Sequence, residues 1–237
     1  MASRPTIVFL HGTRLTSAQW GPQIAALSDE FDCLALDLPG HGTRMTDPFS
    51  LAGAADSVAD AIAAHGGGRA IVVGLSLGGY VAMDLAARWP DRVSGLVLAG
   101  ATAEPSGARS LPYHALGWAL SRPSEARLDA INAWYFRRRY GPAIAEPIIA
   151  GGFGFRSGAQ ALRAIIGERF RPRLASYPGR TLILNGEFDL LFRLSERSFA
   201  AVAADPRRVL IRRATHLANL DQPEAFSAAV RRFARAL

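Results

Sequence analysis

Ala70-Ile71-Val72-Val73-Gly74-Leu75-Ser76-Leu77-Gly78-Gly79 is the stretch on which the fold turns. The first four residues are apolar without alternation, as in a strand buried on both faces. Tyr80-Val81-Ala82-Met83-Asp84-Leu85-Ala86-Ala87 continues as a helix-like run. A Gly-x-Ser-x-Gly sequence between a buried strand and a helix is a nucleophile elbow. The turn is so tight that the serine takes a strained backbone conformation, and a Cβ at either flanking position would collide with the neighbouring strand or helix. Ser76 is thereby held clear of the sheet at a helix N-terminus, where free N–H groups can receive a developing negative charge.

A serine hydroxyl needs a base. In a sheet of this kind the base follows the serine in sequence, with an acid between them, each just past a strand. Of the five histidines, only His114 and His216 follow Ser76. His114 lies in a Pro- and Gly-broken region, whereas His216 ends the strand-like run 207–213 and precedes a helical stretch, so His216 is the expected base. The run 180–185 reads as the next strand upstream, and Gly186-Glu187-Phe188-Asp189 as the loop after it. Asp189 is the expected acid, with Glu187 as the alternative. An acid there would fix the imidazole tautomer and stabilise the imidazolium. Two N–H groups should face the oxyanion: that of Leu77, next to the nucleophile, and one from the loop His11-Gly12-Thr13 after the first central strand, assigned to Thr13. His11 reads as a structural residue beneath that turn.

The chain resembles serine hydrolases of the α/β-hydrolase fold. The resemblance rests on His11-Gly12-Thr13 with Trp20 downstream, Asp37-Leu38-Pro39-Gly40-His41-Gly42, the elbow, Gly186-Glu187-Phe188-Asp189, and His216 with Asp221-Gln222-Pro223-Glu224-Ala225-Phe226. It implies a doubly wound, mostly parallel α/β sheet. The chain starts almost at the first central strand, so about six strands are expected. It departs from the family at Thr215, where a glycine often precedes the histidine. It also implies a cofactor-free enzyme cleaving a carboxylic ester or related acyl compound through Ser76, His216 and Asp189, and with His11 and His41 not at ligand spacing and no Cys pairs, no metal is expected. Relatives with a similar Asp-Leu-Pro-Gly-His-Gly stretch include lactonases, carbon–carbon bond hydrolases and a lyase, and a non-catalytic small-molecule receptor is a third reading.

The alternation of strand-like and helical runs (6–12, 21–29, 32–38, 51–65, 70–75, 78–88, 93–100, 180–186, 193–204, 207–213, 221–236) is that of a parallel sheet covered on both faces. It is interrupted at 103–176, where the resemblance places a cap; the core is then 1–102 and 177–237. Within the cap, 124–140 and 158–170 read as helices and 151–155 as a turn. Trp118, Trp134, Phe136, Phe153 and Phe155 are candidates to line a mostly apolar substrate pocket, and Trp20 joins them.

The 237 residues carry a net charge of +7, and every basic residue is an arginine. Eleven of these arginines fall within 103–176 against five acids, with Arg137-Arg138-Arg139 the densest run. No nucleic-acid motif accompanies them, so they read as a solvated face, with one of them a candidate to bind a substrate carboxylate. No apolar run reaches the ~18 residues of a membrane span. The expected setting is the cytoplasm, with no nucleic acid and no membrane as partner. A lone Cys33 excludes an internal disulfide and reads as a buried thiol.

Overall fold

The computed structural model describes residues 4–237. Six strands, β1 (Thr6–Leu10), β2 (Asp32–Leu36), β3 (Ala70–Leu75), β4 (Val93–Ala99), β5 (Arg180–Gly186) and β6 (Asp205–Ile211), form one sheet in the order β2-β1-β3-β4-β5-β6. All five pairings are parallel. The chain steps outward from β1 to β2, then returns to lay β3 on the other side of β1. A doubly wound sheet opens its ligand crevice at such a reversal, above the C-terminal ends of the strands. Leu10 and Leu75 both end there.

Strand residues alternate between two cores. Val8, Leu10, Val72, Leu96 and Leu98 pack under α2 (Leu51–Ala64) and α3 (Leu77–Arg88). Ile7, Phe9, Ile71, Val73 and Val97 pack against α1 (Gly21–Leu27) and the C-terminal helix over Pro223–Ala234. That helix buries Phe226, Val230 and Phe233, the i, i+4, i+7 face, but it stops before Leu237, which is 48% exposed. At the edges the polar pattern differs: β6 carries Pro206, Arg207 and Arg208 and is largely exposed, which discourages further strand pairing. β6 runs two residues earlier than the sequence suggests, because Arg213 turns into the left-handed region at φ 58°. The run 193–204 holds only the short helix α10 (Glu196–Ala200), preceded by a second short helix, α9 (Leu190–Arg193). Cys33, on edge strand β2, is half-buried, not buried, and burial raises its thiol pKa.

Between β4 and β5 lie five helices: α4 (Leu111–Ser121), α5 (Glu125–Tyr140), α6 (Pro142–Ala150), α7 (Phe155–Ile165) and α8 (Phe170–Ser176). Two of the prolines that break the sequence pattern here start helices, while Pro147 lies within α6. Pro112 and Pro142 sit in first turns, where a missing N–H costs nothing. Five of the arginines of this segment are ion-paired: Arg137 with Glu146, Arg139 with Asp221, Arg156 with Glu125, Arg171 with Glu104, and Arg173 with both Asp84 and Glu168. After β6, α11 (Ala218–Asp221) and α12 (Pro223–Ala234) close the chain. Among the described residues, no helix is long and apolar enough to cross a membrane.

Candidate active site

Ser76 joins β3 to α3 with φ 53° and ψ −115°, a conformation that costs a non-glycine residue free energy. Its N–H donates to Ala99 O at 2.8 Å, tying the turn to the end of β4. The flanking glycines are a steric requirement. A Cβ on Gly74 would lie 2.3 Å from Gly78 O, and one on Gly78 would lie 2.2 Å from Leu10 O. Ser76 lines a cavity of about 450 Å³ at the sheet's switch point, together with Gly12, Thr13, Asp189 and His216. A larger hollow of about 620 Å³ opens at the other end of the sheet, among Arg4, Asp32 and Arg69, and contains neither a histidine nor the elbow.

His216 follows β6 and α9 follows β5, so two loops meet over the end of β4. His216 Nδ1 lies 2.8 Å from Asp189 Oδ2, with Asp189 buried. Glu187 is turned elsewhere: its carboxylate accepts the Arg213 N–H at 2.8 Å. Phe192 stacks on the imidazole with centroids 4.9 Å apart and planes at 16°. Gly100, at φ 53°, closes the other side, where a Cβ would fall within 3.0 Å of both His216 Nδ1 and Asp189 Oδ2. The loop is anchored through Thr215, whose N–H and hydroxyl both donate to Asp221 Oδ2. Asp221 Oδ1 in turn accepts from Arg139 and Tyr140 of α5, joining this loop to the helical segment. Thr215 thus supplies a hydroxyl contact that a glycine could not make. His216 and Ser76 line the same cavity with no hydrogen bond between them.

Thr13 and Leu77 approach from opposite sides, Thr13 after β1 and Leu77 as the first residue of α3. Neither N–H donates to an acceptor among the described residues, and Thr13 Oγ1 is buried without a partner. The β1 loop is pinned from below. Gly12 N–H donates to Gln19 Oε1 at 3.0 Å, and Gln19, Gln23 and Asn219 form a buried amide network reaching α11. His11 Nε2 accepts the Leu38 N–H at 3.0 Å, so its Nδ1–H donates to Gly12 O at 2.9 Å. Full burial, with His41 beside it, lowers the His11 pKa to about 3. Between pH 6.5 and about 3 the unfolded chain therefore takes up a proton that the folded chain refuses. Stability is complete above pH 6.5 and should fall with acidification by up to about 1.4 kcal/mol per pH unit through this residue. Urea midpoints measured from neutral to mildly acidic pH check this: His11→Asn should flatten the slope by close to one proton, and an unchanged slope would contradict it.

The six aromatic residues expected in the pocket do not line it. Trp20 is fully buried between Phe9 and Phe226 under the opposite face of the sheet. Phe136 and Phe155 are buried in hydrophobic clusters, and Phe153 packs between them. Trp118 and Trp134 are 60% and 67% exposed and turned to solvent. The cavity wall comes instead from Tyr113, Leu116 and Leu120 of α4, Tyr135 of α5, Leu162 of α7 and Phe192. The i, i+3, i+7 spacing of the α4 residues was a readable signal, masked by Pro112 and Gly117. Arg14, directly after Thr13, also reaches the wall, and none of the arginines of 103–176 does. His114 is exposed on α4. No cluster of three His, Cys, Asp or Glu side chains among the described residues has the proximity to hold a metal.

Residues 7–229 match the family model described as Alpha/beta hydrolase family. The chain is 39% identical over 98 residues to the pimeloyl-(acyl-carrier protein) methyl ester esterase of Nitrosomonas europaea, covering 41% of this chain and 38% of that protein. The chain therefore spans less than two fifths of that relative's length. It is 26% identical over 232 residues to 3-oxoadipate enol-lactonase 1 of Acinetobacter baylyi, covering 94% of this chain and 85% of that one. The crystal structure of the enol-lactonase of Burkholderia xenovorans superposes with a TM-score of 0.81 at 25% identity, over 99% of this chain and 92% of that one.

Proposed function

The chain belongs to the alpha/beta hydrolase family, and from that premise we propose that it is a cofactor-free serine hydrolase of carboxylic esters, with Ser76 as nucleophile, His216 as base and Asp189 as the acid that orients it. The observation that carries this reading is the 2.8 Å His216–Asp189 pair on the wall of the cavity that Ser76 also lines. Ser76 Oγ attacks the carbonyl carbon while His216 Nε2 takes its proton. The Nδ1–H to Asp189 holds the ring in the tautomer that leaves Nε2 free. The tetrahedral oxyanion is received by the N–H groups of Thr13 and Leu77, each worth on the order of 3 kcal/mol of barrier. His216 then protonates the leaving alcohol, and water resolves the acyl-enzyme. The Ser76–His216 hydrogen bond forms as substrate displaces solvent, a tightening common to such sites.

On this reading residues 103–176 act as a cap, supported by the contributions of α4, α5 and α7 to the cavity wall. The substrate is a small molecule with a largely apolar body. Lactone opening by the same residues is the second reading, supported by the near full-length likeness to a protein named as an enol-lactonase. Reaction with a fluorophosphonate, followed by peptide mass spectrometry, tests the assignment. One label per chain on Ser76 is expected, lost on denaturation and strongly slowed in His216→Ala. A folded protein that leaves Ser76 unlabelled would remove the proposal. Rates on matched linear esters and lactones decide between the two readings.

A further inference from the structure

We propose that Arg14 is a carboxylate-recognition residue, so that the substrate is an ester or lactone carrying a free carboxylate, held by the Arg14 guanidinium while its carbonyl lies at Ser76. This rests on the serine hydrolase reading and narrows it to a substrate class. Arg14 lines the same cavity as Ser76 and His216. Among the described residues its side chain makes one hydrogen bond, to Asn132 Oδ1 of α5, and lies 5.9 Å above the Phe155 ring. Asn132 is fixed in turn, its Nδ2 donating to Leu128 O at 2.8 Å, so the amide presents its oxygen to the guanidinium. Both partners are neutral. No ion pair to Arg14 exists among the described residues, whereas Arg137, Arg139, Arg156, Arg171 and Arg173 each meet a carboxylate.

A guanidinium has five donors, and Arg14 leaves most of them without a protein acceptor. Burial works against its charge, and no acid offsets that burial. Withdrawing an unpaired cation from water is costly, and it is tolerated where a ligand completes the pair. The backbone carries a further cost: Arg14 sits at φ 64°, in the left-handed region. Its position is enforced by α7 and the turn before it. Gly154 N–H donates to Arg14 O at 3.0 Å, and Gly158 lets α7 approach so closely that a Cβ there would lie 3.2 Å from Arg14 N. The other formal charge on the wall, Asp189, is taken up by His216, so the ligand faces one uncompensated positive charge. One planar fork in a cavity of about 450 Å³ matches one carboxylate, whose two oxygens accept parallel N–H bonds.

The test compares monomethyl with dimethyl esters of C4 to C8 dicarboxylic acids, pairs that share a carbon chain and differ in one negative charge. The wild-type protein should favour the monomethyl ester at its preferred chain length. The monomethyl-to-dimethyl ratio of kcat/KM should fall about 30-fold in Arg14→Gln and recover in part in Arg14→Lys. Asn132→Asp, which gives Arg14 an internal counter-ion, should lower the same ratio. A purely structural role would depress both esters and leave the ratio constant, which would overturn the proposal. Calorimetric titration of the free dicarboxylates provides a readout without catalysis: affinity should drop about tenfold or more in Arg14→Gln. Dicarboxylate binding through Arg14 without ester turnover would sink the hydrolase reading and keep the carboxylate site. Turnover with Arg14-independent ratios and Arg14-independent binding would do the reverse.

Discussion

Ser76→Ala is expected to lower kcat on a p-nitrophenyl ester by about a millionfold while the protein stays folded. The loss is this large because the residues of such a site act as a unit, and the activity left comes from binding and the oxyanion donors alone. The hydroxyl makes no hydrogen bond that the fold depends on, so the melting temperature should barely move. Ser76→Gly separates the two roles of the position. Glycine reaches φ 53° without a Cβ penalty, so this variant should be equally inactive and up to about 1 kcal/mol more stable. A folded Ser76→Ala protein that retains ester hydrolysis would show that the chemistry lies elsewhere. A Ser76→Gly protein less stable than wild type would show that the elbow holds no strain.

Gly78→Ala is expected to have the largest effect on stability, about 4 kcal/mol or more, or no folded protein at all. The added methyl would sit 2.2 Å from Leu10 O and 2.8 Å from His11 O. These are backbone atoms of β1 and its loop, which cannot rotate aside as a side chain does. Either α3 lifts away from the sheet or β1 shifts, and each opens the packing under the elbow. The same movement would separate Thr13 from Leu77, so any folded fraction should also lose activity. Gly21→Ala is the control, since a Cβ there meets nothing within 4 Å. At the first position of α1 it should change stability by less than about 0.5 kcal/mol. Equal destabilisation by the two substitutions in urea unfolding would mean that general glycine loss, not the contact with β1, sets the cost.

The parallel sheet was legible because its signals are local. A fully apolar run such as Ile71 to Val73 has few alternatives to a doubly covered strand, and the six strands follow in order. The pairing of Asp189 with His216 followed from position, each just past a strand. The alternative acid, Glu187, is set aside only by the loop geometry that hands its carboxylate to the Arg213 N–H. Thr215 looked like a departure from the family pattern, and its compensation by Asp221 is visible only when α11 folds back onto the loop. The helices between β4 and β5 were read incompletely because Pro112 and Pro142 look like breaks in a sequence and serve as first-turn residues in the structure.

By itself the sequence determined the sheet, the elbow and the order of the residues that meet at its C-terminal edge, because continuous apolar runs and the Gly-x-Ser-x-Gly spacing are local signals, although the contact that enforces Gly78, with Leu10 O of β1, is not local. It did not determine the wall of the cavity. Trp134, Tyr135 and Phe136 are consecutive on α5, so they point about 100° apart; Trp134 is 67% exposed, Tyr135 lines the cavity and Phe136 is fully buried. All three are aromatic, so composition cannot rank them. Only the rotation of the helix about its axis, fixed by how α5 packs against its neighbours, assigns each ring to solvent, substrate or core. The same holds for charge: Arg14 is one arginine among many until tertiary packing puts it, and none of the arginines of 103–176, on the cavity wall with an amide in place of a carboxylate.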